Sequence, residues 1–161
     1  MPADPVEARR PPVRQATVVR RDVAGTFWSF VTTIGQWWPL RPISADPARA
    51  VDVVFEQRVG GRVYERWDDG TTVPWAKVVG WDPPNRFVLT WRMTAAATEV
   101  ELRFTPLGPG LTRVEVEHRG WEALSEAELA QDCALPGGGY LGGSYSKGWT
   151  LILDRFREFT S

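Results

Sequence analysis

The sequence predicts an α+β fold: a curved antiparallel sheet of about seven strands wrapped on a long C-terminal helix, with two short helices after the first strand. Three observations predict it. In residues 144–160, SYSKGWTLILDRFREFT, the side chains Tyr145, Trp149, Ile152, Phe156 and Phe159 recur at i, i+4, i+7, i+11 and i+14. At 100° per residue they share an arc of roughly 80°, one broad apolar stripe. Residues 51–119 break into six alternating stretches joined by short turns rich in Gly, Pro and Asp, the pattern of a meander. One strand and two short helical stretches come before them. Burying the five stripe side chains contributes on the order of 10 kcal/mol as an upper bound, so the stripe must lie in the concave face of the sheet. A sheet of this size cannot close tightly on a helix, and a cavity between the two follows.

Taken in order, residues 1–13 (MPADPVEARRPPV) read as a disordered tail, and residues 14–161 as a single domain. Residues 16–21 (ATVVRR) form the first strand. Asp22 N-caps a helix over residues 23–32, with Val23, Phe27, Phe30 and Ile34 on one face. A short helical turn around Gln36, Trp37 and Trp38 is stopped by Pro39. Residues 40–50 hold two prolines and no period, so they read as a surface loop. The six strands are residues 51–58, 62–67, 71–81, 86–93, 98–105 and 111–119. Pro74 marks an edge position or a bulge in the third of these. Ser125 and Glu128 make a capping box at the start of a helix over residues 125–135, ended by Pro136 and three glycines.

Net charge is −1 and the sequence pI about 5.9, which argues against nucleic acid or an anionic membrane as the main partner. The tail lacks the apolar core of a signal peptide, and no apolar run reaches the length of a membrane span. Cys133 and His118 are each the sole residue of their kind. They make neither a disulfide framework nor a Cys/His zinc site, and a reducing cytoplasm is the simplest setting. Nothing in the chain asks for a cofactor. Three near-motifs carry no chemistry. Gly137-x-Gly139-x-x-Gly142 matches a dinucleotide fingerprint but follows a helix, not a strand. Gly142-x-Ser144-x-Ser146 lacks the last glycine of a nucleophile elbow. Residues 143–147 are too short for a phosphate loop.

Nine tryptophans, at 28, 37, 38, 67, 75, 81, 91, 121 and 149, are several times the usual share. They fill a large aromatic core, or some of them line an apolar cavity. Strand parity sorts the faces. Val100, Leu102 and Phe104 face in, as do Val114, Val116 and His118, then Phe87, Leu89 and Trp91, then Val51, Val53 and Phe55. Glu99, Glu101, Glu115 and Glu117 form a solvated outer face. The inward set is nearly free of ionisable groups, which weighs against an enzyme. His118 is the candidate that parity places inside, with Tyr145 or Tyr64 near the mouth. It is either a hydrogen-bonded core residue or a ligand contact. Gly148 sits inside the main helix, where glycine costs about 1 kcal/mol relative to alanine. It permits close packing, or it widens the cavity.

Several stretches together resemble the START-like (SRPBCC, helix-grip) superfamily, in the branch of the activator of heat-shock-chaperone ATPase. They are Val59-Gly60-Gly61-Arg62-Val63-Tyr64-Glu65, residues 75–91 (WAKVVGWDPPNRFVLTW), Thr98-Glu99-Val100, His118-Arg119-Gly120-Trp121, and Trp37-Trp38-Pro39 after the first helix. The resemblance covers residues 14–160. It implies a deep hydrophobic cavity between sheet and helix. The chain departs from the family pattern in its Pro/Arg tail and in the glycine-rich stretch 137–143. The leading expectation is a domain binding a small hydrophobic ligand, aromatic or lipid-like. Trp37, Phe55, Trp75, Trp91, Tyr145 and Trp149 would line the cavity and His118 would orient the ligand. Two alternatives follow from the resemblance. One is a polyketide cyclase or aromatase type of enzyme in which His118 or a tyrosine moves a proton. The other is a chaperone-regulating or other protein-interaction module, although the family's chaperone activator carries a further domain for which this chain leaves no room.

Overall fold

A computed structural model describes residues 10–161. The expected tail lies mostly outside the described residues. Where it can be followed, Arg10 N–H donates to Glu122 Oε1 at 3.3 Å and the carbonyl of Pro11 accepts from Tyr140 O–H at 2.7 Å. The first strand, β1 (Val13–Val19), begins three residues before the expected Ala16, because these contacts bring the chain onto the sheet early. Helix α1 (Val23–Thr32) starts at Asp22, whose Oδ1 accepts from Gly25 N–H at 3.1 Å, and α2 (Ile34–Trp37) follows at once. Then come β2 (Ala50–Phe55), β3 (Arg62–Trp67), β4 (Thr72–Asp82), β5 (Arg86–Trp91), β6 (Thr98–Gly108) and β7 (Leu111–Arg119). A single 3-10 turn at Trp121–Ala123, helix α3 (Glu126–Leu129) and helix α4 (Ser144–Thr160) complete the chain.

All seven strands form one antiparallel sheet in the order β1-β7-β6-β5-β4-β3-β2. It curls around α4, which packs along β1. Bulges bend it, as expected for a curved sheet. In the β3–β4 ladder Val63 faces Ala76 and Tyr64 faces Pro74, leaving Trp75 without a partner. Trp75 and Ala76 are therefore both buried in succession. The bulge expected from Pro74 sits at this point. A second bulge in β2 turns Val51 outward, against the parity assignment, and Ala50 takes the inner position. Parity holds on β5, β6 and β7, whose inward residues are buried.

Three further expectations are corrected. Helix α3 is one turn rather than residues 125–135. Its capping box is present, but beyond Ala130 the Asp132 carboxylate accepts from Gly138 N–H at 2.7 Å, so this stretch holds the glycine loop instead of extending the helix. Phe159 is exposed because the buried face of α4 is rotated toward Leu153 and Thr160. Glu101 is on the outer face as expected, yet it is buried beneath Arg86, Arg103 and Arg119, which donate to it at 3.1, 2.7 and 2.7 Å. Burial alone would raise its carboxyl; the three guanidinium hydrogen bonds outweigh it and hold the pKa at about 2.

The concave side is filled at one end only. There Phe27 and Phe30 of α1, Phe87, Phe104 and Phe156 pack ring against ring, with Phe30 and Trp37 at 5.0 and 4.9 Å from Phe156. The other end, toward Trp91, His118 and Trp149, is hollow.

Candidate functional site

The hollow has a volume of about 310 Å³ and opens to solvent on one side. Four tryptophans, packed ring to ring, make one wall of it. Ring centroids run from Trp38 to Trp75 at 4.9 Å, to Trp91 at 6.2 Å, to Trp149 at 5.6 Å, and back to Trp38 at 6.3 Å. Each comes from a different element. Trp38 is the extended residue that ends α2, Trp75 is the bulge of β4, Trp91 ends β5, and Trp149 lies on α4. The mouth is bordered by residues 43–45, by Met93 and by residues 132–135.

Three of the four indole N–H groups are turned into the protein. Trp38 donates to the Ile43 carbonyl at 2.8 Å, Trp75 to Glu65 Oε1 at 2.8 Å, and Trp149 to His118 Nδ1 at 3.1 Å. With those N–H groups engaged, what the three indoles leave to the hollow is apolar carbon. Trp91 Nε1 and Tyr145 Oη make no hydrogen bond among the described residues. They are the donors left for a ligand. Burial pushes the Tyr145 phenol up to about 12, with the neighbouring Cys133 adding to the effect, so the hydroxyl keeps its proton. Burial also raises the Cys133 thiol.

His118 is fully buried at the end of β7. Its Nδ1 accepts from Trp149, so Nε2 carries the proton and donates to Thr98 Oγ1 at 2.7 Å. Thr94 donates to the Ala96 carbonyl at 2.6 Å, which leaves Thr98 to donate to Thr94 at 3.1 Å. The chain of bonds runs in one direction from helix to loop. Burial lowers the imidazole pKa to about 3. A neutral ring with both nitrogens engaged orients Trp149 and has no lone pair for a substrate proton.

Of the residues expected to line the cavity, Trp75, Trp91, His118, Tyr145 and Trp149 do so. Trp37 does not. It packs between Phe30 and Phe156, and its neighbour Trp38 takes the wall because the chain leaves the helix between them. Phe55 does not either; it stands against Trp81 and Phe87 and borders a void of about 20 Å³ that shares the four tryptophans with the cavity. Tyr64 lies on the opposite face of β3 beneath the Arg62 guanidinium, not at the mouth. Residues 43–45 belong to the stretch read as a surface loop, yet they border the cavity. Gly148 also borders it. A Cβ there would sit 3.8 Å from Leu135 Cδ1 and 3.9 Å from Ile43 Cδ1, an ordinary contact, so close packing is not why glycine is there.

The inner face also holds a charge that the parity reading passed over. Glu65 is fully buried, and its oxygens accept from Trp67 and Trp75 Nε1 and from the Ala45 and Asp46 amides. The alternation of Val63, Glu65 and Trp67 on β3 was the signal for it. Among the described residues no three His, Cys, Asp or Glu side chains cluster to hold a metal ion, and no helix is long and apolar enough to cross a membrane.

Comparison with known proteins adds to this geometry. The profile of the family described as "Activator of Hsp90 ATPase homolog 1-like protein" matches residues 26–160. Among solved structures, an anthrahydroquino-gamma-pyrone synthase, Txn09, is 29% identical with a TM-score of 0.55, over 94% of this chain and 97% of that one. CalC, a self-sacrificing resistance protein from Micromonospora echinospora, is 24% identical with a TM-score of 0.63, over 93% and 94%. An AHSA1-like protein from Aeromonas hydrophila is 17% identical with a TM-score of 0.58, over 91% and 90%. Among curated proteins none matches the chain.

Proposed function

The chain belongs to the activator of Hsp90 ATPase homolog 1-like family, a START-like group with the helix-grip fold, and from that premise we propose that it binds a flat, mostly apolar aromatic molecule in the tryptophan-lined cavity. The observation that carries this reading is the closed circuit of four indoles with three of their N–H groups turned away. Such a wall offers stacking area and little polarity. Size narrows the ligand. A cavity of about 150 Å³ holds benzene, and about 310 Å³ therefore suits two or three fused rings. Trp91 N–H and Tyr145 O–H then favour a ligand with acceptor oxygens, such as a quinone or pyrone. The likeness to an anthrahydroquino-gamma-pyrone synthase supports the same class. We take residues 14–161 as one domain working in the cytoplasm, with Cys133 unpaired.

The test is tryptophan quenching and thermal shift with 1,8-dihydroxyanthraquinone and smaller bicyclic quinones. At a hundredfold excess over Kd the shift is about 2.7 kcal/mol, or roughly 5–10 °C for a chain of this size. A panel that neither quenches nor shifts removes the receptor reading.

The synthase supports a second reading, an enzyme that folds a reactive chain against the indoles. In it His118 is not the base, its nitrogens being engaged. The Tyr145 hydroxyl is the proton donor within the cavity. Turnover that survives His118→Asn and is lost in Tyr145→Phe supports this second reading, and the reverse removes it.

A further inference from the structure

Glu65 ties one wall of the cavity to one side of its mouth. Oε1 accepts from Trp75 Nε1 at 2.8 Å and also from the Ala45 amide; Oε2 accepts from Trp67 Nε1 at 2.7 Å and from the Asp46 amide at 3.2 Å. Trp75 and Ala45 both border the cavity. Residues 39–49 contain no helix or strand, and their own hydrogen bonds fold the segment on itself: Ile43 N–H to the Pro39 carbonyl, Ser44 O–H to the Leu40 carbonyl. Among the described residues the Ala45 and Asp46 amides have no acceptor other than Glu65. Glu65 is thus the side chain that fastens the Ala45 and Asp46 amides to the sheet, beside two flanking anchors: Trp38 N–H holds the Ile43 carbonyl at 2.8 Å and Ala50 N–H holds the Asp46 carbonyl at 2.9 Å.

We propose that Glu65 is a positioning residue that latches the cavity mouth. Engaged, its carboxylate holds Ala45 and Asp46 against Trp75; released, residues 44–46 swing outward between the anchors at Ile43 and Ala50, and a ligand passes. The latch rests on the receptor reading for its purpose but not for its physics. Glutamine at 65 points an NH2 at N–H donors, so part of the cluster loses its acceptor. Aspartate keeps both oxygens but withdraws them by one methylene.

The test uses the full chain with Glu65→Gln and Glu65→Asp, either of which suffices if the other does not fold. Amide hydrogen exchange on the ligand-free protein is expected to accelerate about tenfold or more at Ala45 and Asp46, with Val100 and Val116 in the sheet centre unchanged, the pattern of local opening. Unchanged exchange at Ala45 and Asp46, or equal acceleration at all four, overturns the latch. Stopped-flow mixing with 1,8-dihydroxyanthraquinone gives a second readout. A looser latch raises association and dissociation rates together by about tenfold and leaves Kd within about threefold. A higher Kd with association unchanged makes Glu65 only a wall support and overturns the proposal. If the dye does not bind the unmodified chain, the receptor reading fails alone, and the exchange rates still decide the latch.

Discussion

Replacing Gly148 separates the stability of α4 from the space beside it. The residue is buried inside the helix and borders the cavity, and an added Cβ meets Leu135 and Ile43 only at 3.8 and 3.9 Å. Gly148→Ala therefore gains the full helix-propensity difference of about 1 kcal/mol, and at this chain length melts roughly 2–4 °C higher. Gly148→Leu adds three more carbons, which pass between Leu135 and Ile43 into the hollow. Each buried methylene is worth about 0.8 kcal/mol, so the leucine variant is at least as stable as the unmodified chain. It also fills part of a cavity of only about 310 Å³, and binding of a tricyclic quinone falls by tenfold or more, about 1.4 kcal/mol. Thermal melts and fluorescence titration with 1,8-dihydroxyanthraquinone read the two effects side by side. A leucine variant that melts lower refutes the claim that the space is free. One that melts higher and binds the dye as before refutes the claim that the dye sits there.

Three more outcomes follow from named contacts. His118 has a folded pKa of about 3 against about 6.5 when unfolded, so the unfolded chain takes up its proton first; the stability it contributes is complete above pH 6.5 and falls by about 1.4 kcal/mol per pH unit as the pH drops toward 3. Urea titrations at pH 7, 6 and 5 show this slope in the unmodified chain and its loss in His118→Asn. Glu101 works in a lower window, its contribution present above about pH 4.5 and lost as the pH falls toward about 2, so when the titrations are carried on to pH 4 and 3, Glu101→Gln shows a shallower fall than the unmodified chain. Among the described residues Trp37 N–H is buried without an acceptor, whereas Trp38 N–H is bonded to Ile43. Trp37→Phe thus removes an unsatisfied group worth about 1–3 kcal/mol and destabilises the chain less than its volume loss implies, while Trp38→Phe weakens dye quenching; equal effects on both readouts would contradict the placement of the pair.

The fold was legible because its signals are periodic. Alternation on β5 to β7, the turn residues, the Asp22 cap and the stripe of α4 each reflect local geometry that a linear pattern records. The site was legible in part for the same reason: Trp91 and His118 follow from parity, and Trp149 and Tyr145 from the helical period. What stayed hidden depends on breaks in the pattern. Trp37 and Trp38 are adjacent, and which one meets the cavity depends on where α2 lets go of the chain. The bulge that turns Val51 out cannot be read from Ala50-Val51-Asp52, which carry neither a glycine nor a proline to mark it. Glu65 sat in plain alternation, but a carboxylate on an inner face is credible only once its four donors are seen to converge from three separate stretches of chain. The start signal at Ser125 and Glu128 is used, but residues 131–135 do not continue the helix, because Asp132 is engaged by the Gly138 amide.

The extra residue in β4 has a consequence for how such a protein changes over generations. Because Trp75 has no partner in the β3–β4 ladder, exchanging its side chain alters the wall of the cavity while the neighbouring rungs keep their pairing. What constrains the position is the buried carboxyl of Glu65 rather than the ladder, so a library randomised here should return its folded members mainly among side chains that are large and keep an N–H donor.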